Sequence, residues 1–492
     1  MWGWNSGFWK LSRSDWQKLI QSLRRGTFHR RKVPKDRWGT FDVPQTPDDR
    51  LLRGTAVPLA GEGIPPGDGG LPRHKPDHFP LFFTRKESIM SKQETWMKPR
   101  HRVITALVRP FLGTYCRWKY GVTVEPFREQ GDRQYLVLFN HQTAFDQFFV
   151  GMAFQGPVYY LASEDLFSKG WISALLKWVV NPIPIKKQTT DVRAVRNCLK
   201  VIKEGGTLAL APEGNRTYSG KTEYMNPAIV KMAKKFKLPI ALMRIENGYC
   251  VHPRWSDVVR KGRMRAYISQ VIEPEQYAEM TEDQLGEVIR DGLYVDEGCP
   301  GGPFTHPKLA EYLERAFYVC PHCGLSTFES HDDLVTCQKC GMTARYLPTR
   351  ELESVQGDFP FRFTTEWYDY QCAFVNKLDT RNHVDTPLYE DTAAFSRVIV
   401  YKDKELLREK AAIRLYGDRI TLDEGTAQEL VFRFEDTLAF TVLGKNKVNI
   451  YFGDELFQLK GDKRFNGLKY VNLFYRHKNI VKGNEHVEFL GL

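Results

Sequence analysis

From about Arg100 the chain alternates short, continuous apolar runs with longer segments whose apolar positions recur at helical spacing. Tyr135-Leu136-Val137-Leu138-Phe139, Pro157-Val158-Tyr159-Tyr160-Leu161 and Thr207-Leu208-Ala209-Leu210-Ala211 read as strands buried on both faces. Between the last two lies Asp191 to Glu204, where Val192, Val195, Leu199 and Ile202 mark one helix face and Gly205-Gly206 supplies a stop. Strands separated by helices predict an α/β architecture over residues 100–310. Beyond residue 395 the pattern shortens. Ile413 to Tyr416, Leu430 to Phe434, Phe440 to Leu443 and Val448 to Phe452 alternate with Gly417-Asp418, Gly444-Lys445-Asn446 and Gly453-Asp454, and Asn466 to His477 can form an amphipathic helix.

Several short strands closed by a helix predict a small β-rich C-terminal domain, compatible with the pleckstrin-homology type. The expected organisation is an N-terminal extension (1–89), an α/β domain (90–310), a cysteine-bearing segment (315–348), a connector (349–394) and the β-rich domain (395–492). The overall composition, 42% apolar and 26% charged with a mean hydropathy of −0.44, excludes a polytopic membrane protein and a wholly disordered chain. A net charge of +12 invites a nucleic-acid or anionic-lipid partner. Residues 1–89 hold 16 Lys and Arg against 9 Asp and Glu, so more than half of that excess sits in a Pro- and Gly-rich segment without sustained periodicity. Arg85-Lys86-Glu87 can be encoded by a purine-rich stretch resembling a bacterial ribosome-binding site, with Met90 at a suitable distance. The native chain is therefore expected to start at Met90, the competing reading being a disordered basic arm on an anionic membrane.

Two constellations carry candidate chemistry. The first is Asn140-His141-Gln142-Thr143-Ala144-Phe145-Asp146, directly after a strand. A turn there can set the Asp146 carboxylate against one nitrogen of His141, fixing the tautomer and leaving the other nitrogen as a general base. The second is Pro212-Glu213-Gly214-Asn215-Arg216-Thr217, also directly after a strand. Arg216 offers a planar fork for phosphate, and Gly214 permits close backbone approach. Both follow strand C-terminal ends, where open α/β sheets place ligands.

His-x4-Asp followed about 70 residues later by Pro-Glu-Gly-Asn-Arg-Thr resembles the PlsC-type glycerolipid acyltransferase family over about residues 100–260. The family blocks are N-H-x4-D and F-P-E-G-T-R-S, so Asn215 and Thr217 replace the usual Thr and Ser. The resemblance implies that His141 takes the proton of a glycerol hydroxyl with Asp146 orienting it, without a catalytic metal. It also implies that Glu213, Gly214, Asn215, Arg216 and Thr217 bind the phosphate and glycerol part of the acceptor. The second block ends here in Lys187 (Asn181-Pro182-Ile183-Pro184-Ile185-Lys186-Lys187) where the family has Arg, giving charge without a bidentate fork. The fourth, Leu238-Pro239-Ile240-Ala241-Leu242-Met243, lacks its second proline. The implied acceptor is a lysophospholipid, foremost 1-acylglycerol-3-phosphate, or another lysolipid in a remodelling reaction. The implied donor is acyl-CoA, acyl carrier protein or an acyl phosphate.

Cys320-Pro321-His322-Cys323-Gly324 and Cys337-Gln338-Lys339-Cys340-Gly341 place four thiolates at the spacing of a zinc ribbon. All four positions of a tetrahedron are then filled, so the expected zinc is structural. The other five cysteines are scattered and no secretion signal is apparent, which points to a reducing compartment. No apolar run approaches the roughly 20 residues needed to span a bilayer. Trp171 to Val180, beside Lys169, Lys186 and Lys187, suits insertion into one leaflet or a buried core helix, and Arg102 to Tyr120 is a second such segment. A peripheral enzyme on the inner face of an anionic membrane is the expected setting. A nucleic-acid-binding ribbon is the alternative from another class, disfavoured because Cys320 to Cys340 carries Lys339 against Glu329, Asp332 and Asp333.

Overall fold

The apolar runs become the central strands of a seven-stranded mixed sheet in a computed structural model that describes residues 95–167, 170–185, 191–399 and 404–491. Residues 1–89, Met90, Lys169, Lys186 and Lys187 lie outside the described residues. A long helix, α1 (Pro99–Tyr120), leads into β1 (Val122–Val124), β2 (Leu136–Phe139), α2 (Asp146–Ala153), β3 (Val158–Ser163), α3 (Trp171–Val179) and β4 (Ile183–Ile185). Then come α4 (Val192–Lys203), β5 (Thr207–Leu210), α5 (Ala228–Phe236), β6 (Ile240–Glu246), the short α6 (Gly248–Val251) and β7 (Met264–Ile272). The spatial order is β1-β7-β6-β2-β5-β3-β4, parallel except between β6 and β7. All residues of β2 and β5 are buried, as strands covered by helices on both faces must be.

α4 starts where Asp191 accepts from the Ala194 amide, at 3.0 Å, and ends at Gly205, whose φ of 84° only glycine adopts without strain. Its buried face is Ala194, Cys198 and Val201, while Val192 and Leu199 are exposed and Val195 and Ile202 only partly covered. The apolar stripe is wider than the contact, and the smaller side chains let the helix approach the sheet most closely. α1 continues through Pro110. Only Ser173 of α3 is buried, so that segment is not a core helix.

Three further sheets follow α7 (Pro274–Ala278) and α8 (Glu282–Leu293). The cysteine-bearing segment contributes the small pair β8 (Val319–Cys320) and β9 (Gly324–Leu325) and the strands β10 (Phe328–His331), β11 (Leu334–Cys337) and β12 (Thr343–Tyr346) of an antiparallel sheet that β13 (Leu352–Gln356) completes. The stretch read as a connector contains β13 and α9 (Thr364–Lys377). The indole of Trp367 on α9 is fully buried, stacks on Phe317 with ring centroids 3.9 Å apart and donates to the Val319 carbonyl at 2.9 Å. Trp367→Ala would cost about 3–5 kcal/mol.

The C-terminal domain comprises β14 (Tyr389–Arg397), β15 (Glu405–Leu415), β16 (Arg419–Leu422), β17 (Leu430–Arg433), β18 (Thr437–Leu443), β19 (Lys447–Phe452), β20 (Glu455–Gly461) and α10 (Leu468–Val481). Its order β17-β16-β15-β14-β20-β19-β18 joins a four-strand and a three-strand meander through the first and last strands, with the helix after them, an arrangement of the pleckstrin-homology type. One hydrophobic core runs through all three parts. At its centre Trp255 meets Tyr346 of β12, ring centroids 6.1 Å apart, and Arg315 donates to the Trp255 carbonyl and to Asp257.

Candidate active site

β2 and β5 are adjacent and parallel, with Leu138 opposite Leu210, so the segments that follow them emerge side by side at one edge of the sheet. Asn140, fully buried, crosses to the other neighbour: its side chain donates to the Ile245 carbonyl at 2.8 Å and accepts the Ile245 amide at 2.7 Å. The chain then turns into α2, whose first residue is Asp146. Its carboxylate is fully buried and accepts from His141 Nδ1 at 2.8 Å, from the amides of Gln142 and Thr143, and from Thr143 Oγ1 at 2.7 Å. These donors compensate burial of the charge. An ionised carboxylate only accepts, so His141 Nδ1 carries the proton and Nε2 is the basic nitrogen. The imidazole is 24% exposed against none for Asp146, the asymmetry an accessible base with a buried orienting acid requires.

The second constellation clasps the first. The His141 amide donates to Glu213 Oε1 at 2.7 Å, and the His141 carbonyl accepts from the Thr217 amide at 3.0 Å. Glu213 Oε2 accepts the Glu223 amide, so both carboxyl oxygens are engaged by backbone. Burial pushes the Glu213 carboxyl up to about 8, with the two amide donors working against that shift. Thr217 is buried, and its hydroxyl accepts the Gly220 amide. Asn215 is buried nearby. Gly214 has φ of 67° with open space where a Cβ would stand; glycine is needed there for conformation, not for close backbone approach. Arg216 lies in the field of Asp146, and burial together with the neighbouring Arg254 lowers its guanidinium to about 10. Arg216 Nη1 is buried without a partner among the described residues. His141, Asp146, Glu213, Gly214, Asn215, Arg216 and Thr217 thus come together, while Lys187 lies outside the described residues.

Three residues here had little sequence signal. Asn140 and Gln142 stand inside the first block but were not singled out; Gln142 Oε1 accepts the Tyr249 amide at 2.9 Å and pins α6 to the loop. Arg254 is buried and donates to the Arg216 carbonyl at 3.0 Å.

The four cysteine sulfurs lie within 4.8 Å of one another, and Cys320 and Cys340 are 3.8 Å apart. A tetrahedral zinc with bonds of about 2.3 Å sets its sulfurs about 3.8 Å apart, so the cluster fits such an ion. The amides of His322 and Cys323 point at Cys320, and those of Lys339 and Cys340 at Cys337. Gly324 and Gly341 close the two knuckles at φ of 68° and 74°. His322 bonds the Asp358 carbonyl and His331 pairs with Glu329, so neither faces the sulfurs.

A family model described as Acyltransferase matches residues 122–246. A 1-acyl-sn-glycerol-3-phosphate acyltransferase of Bacillus subtilis (strain 168) is 21% identical over 136 residues, covering 28% of this chain and 65% of the relative. One from Borreliella burgdorferi is 24% identical over 165 residues, covering 32% and 64%. The chain thus spans a little under two thirds of the curated relatives it matches. Among solved structures, the 1-acyl-sn-glycerophosphate acyltransferase PlsC of Thermotoga maritima aligns with a TM-score of 0.34 and 21% identity over 39% of this chain and 77% of that one. The stretch matched by the acyltransferase family model, residues 122–246, contains both the His141–Asp146 pair and the Glu213–Thr217 loop.

Proposed function

We propose that the protein transfers a fatty acyl group from an activated donor to the free hydroxyl of a lysophospholipid, with 1-acylglycerol-3-phosphate as acceptor and phosphatidic acid as product. The observation that carries this reading is the buried, four-donor Asp146 carboxylate holding the partly exposed His141 imidazole through Nδ1. His141 Nε2 takes the hydroxyl proton as the oxygen attacks the acyl carbonyl carbon. The tetrahedral adduct collapses by breaking the bond to the donor's leaving group, which receives the proton back from His141. Arg216 pairs with the acceptor phosphate. Glu213 acts as a brace between the two loops, since both its oxygens are already occupied.

Two surroundings support the assignment. α1 presents Val103, Leu107, Phe111, Tyr115 and Trp118 to solvent, with Phe111 79% and Trp118 77% exposed, interspersed with exposed Arg102, Arg117 and Lys119. Tyr115 touches Phe145, ring centroids 6.3 Å apart, next to Asp146. An apolar, aromatic and basic face that ends at the reaction centre suits docking on an anionic leaflet that delivers the lysolipid. Among the described residues no helix is long and apolar enough to cross a membrane. The cysteine cluster would hold a structural zinc, bracing the α/β sheet against the C-terminal domain through Phe328, Val335 and Tyr346 in the shared core.

Purified full-length protein is to be assayed with a panel of lysolipids and with acyl-CoA and acyl carrier protein donors. The expected result is transfer to 1-acylglycerol-3-phosphate that falls by about 10²–10⁴-fold in His141→Ala. Equal activity of wild type and variant with every pair would refute the reading, and preference for another lysolipid would reassign the acceptor to a remodelling reaction.

A further inference from the structure

Four buried polar atoms without partners among the described residues gather around the loop pair: Gln142 Nε2, Arg216 Nη1, Tyr218 Oη and His252 Nδ1. Unpaired buried polar atoms are costly and rare, and Arg216 interacts electrostatically with both Tyr218 and His252, so these open atoms share a neighbourhood that a ligand could satisfy. Tyr218 lies beneath the Arg254 guanidinium, 4.4 Å from the ring centroid, and Arg254 binds the Arg216 carbonyl. His252 is only 8% exposed and caps α6 through its amide on the Gly248 carbonyl. That segment is pressed on the catalytic loop, since a Cβ on Gly248 would come within 2.4 Å of Gln142. His252 packs on Tyr120, whose ring meets Phe145 beside Asp146 at 4.8 Å.

The rest of the frame comes from the C-terminal domain. Arg254 donates to Val442 and Gly444 carbonyls, at 3.1 and 3.3 Å, as well as to Arg216. One guanidinium therefore ties the β18–β19 hairpin to the anion-binding loop. The next hairpin residue, Lys445, donates to the Ser256 carbonyl and to Asp257 Oδ1 at 2.8 Å, four residues or so beyond His252.

We propose that His252 is a further ligand for the acceptor's phosphate beside Arg216, and that the hairpin Gly444-Lys445-Asn446 of the C-terminal domain positions this subsite. The assignment rests on the acyl transfer proposed above and identifies how its acceptor headgroup is held. A phosphate oxygen between Arg216 Nη1 and His252 Nδ1 would satisfy both orphaned atoms, and Lys445 adds positive potential from behind. In keeping with this, burial and then the Arg216 and Lys445 charges push the His252 imidazole down to about 3, leaving it neutral until an anion arrives.

The test uses the full chain with two probes. Glycerol 3-phosphate binding is measured calorimetrically, and steady-state transfer is compared between 1-acylglycerol-3-phosphate and the phosphate-free 1-acylglycerol. His252→Ala is expected to weaken glycerol 3-phosphate binding and raise KM for the phosphate acceptor by about ten-fold or more, with kcat nearly unchanged. His252→Asn, which keeps a donor nitrogen near the Nδ1 position, should recover most of this, and Lys445→Met should raise the same KM by about three-fold. The phosphate-free acceptor should be unaffected. No glycerol 3-phosphate binding by wild type, unchanged binding in His252→Ala, or equal losses with both acceptors would overturn the proposal. Failure of wild type to acylate either acceptor would instead sink the proposed reaction, while the calorimetric comparison would still decide the role of His252.

Discussion

The His141–Asp146 site and the four-cysteine site are built from opposite arrangements of polar atoms. In the cysteine cluster four sulfurs face inward within 4.8 Å of each other, and backbone amides of the knuckles are spent on sulfur. Around His141 the Asp146 carboxylate is saturated by four donors, but Arg216 Nη1 and His252 Nδ1 have no partner among the described residues. A closed donor set suits a role in holding the fold, and an open one is what the proposed substrate site requires. The four cysteines offer no free coordination position, so the cluster would contribute stability and no chemistry.

The most damaging intervention should be at the closed site. Metal analysis should find about one zinc per chain, and chelation or Cys337→Ser should unfold the β10–β13 sheet with a stability loss of several kcal/mol, read from melting curves. Metal-free protein with an unaltered melting curve would reverse the assignment. At the open site, Asp146→Asn should cost about 1–3 kcal/mol of stability, because its amide cannot accept from all four donors, yet leave the fold intact and reduce transfer by about 10²-fold, because the amide can present its own hydrogens to His141 and lose the productive tautomer. A large drop in stability without a selective loss of kcat would place Asp146 with the cysteines as a structural group.

A smaller effect is expected at the exposed aromatic face of α1, the proposed lipid contact. Replacing Phe111 and Trp118 together by Ser should weaken binding to vesicles containing anionic lipid by about ten-fold or more, since each contributes on the order of 1–3 kcal/mol of apolar burial. Unchanged flotation with vesicles would exclude this face of α1. The slightest expected change concerns the brace between the loops. Burial keeps Glu213 protonated in the fold up to about pH 8, whereas in the unfolded chain it ionises above about 4.5. The folded state then binds more protons across that window, so the associated stability is complete below pH 4.5 and is lost as pH rises through 8. Glu213→Gln cannot titrate and should show a shallower fall in melting temperature from pH 5 to 8. Glu223, pushed up to about 7 by burial, retains part of the slope. Identical pH profiles for wild type and variant would remove Glu213 as its source.

Much of this comparison was readable in the chain because its key spacings are short. His141 and Asp146 are five residues apart across a turn, and each cysteine pair closes within its own knuckle. The strands β2, β3 and β5 announced themselves as continuous apolar runs. The buried face of α4 did not, since its stripe was broad and only packing selected Ala194 and Cys198 over Val192 and Leu199. β14, β16 and β20 and helix α9 were likewise hidden, their apolar residues being buried against partners far along the chain, as Trp367 is against Phe317.

By itself the sequence determined which local chemistries exist: a histidine that a nearby carboxylate can orient, an arginine after a strand, and two cysteine knuckles. Tertiary structure alone decided that β2 lies beside β5, so that Glu213 reaches the His141 amide from 72 residues away. It also decided that Arg254 joins the Arg216 carbonyl to a hairpin 188 residues further on. Periodicity and spacing report which face of an element is apolar; they carry no record of which distant carbonyl will lie within hydrogen-bond reach once the layers pack. The polar framework of the site depends on that long-range adjacency, and its reactive pair does not.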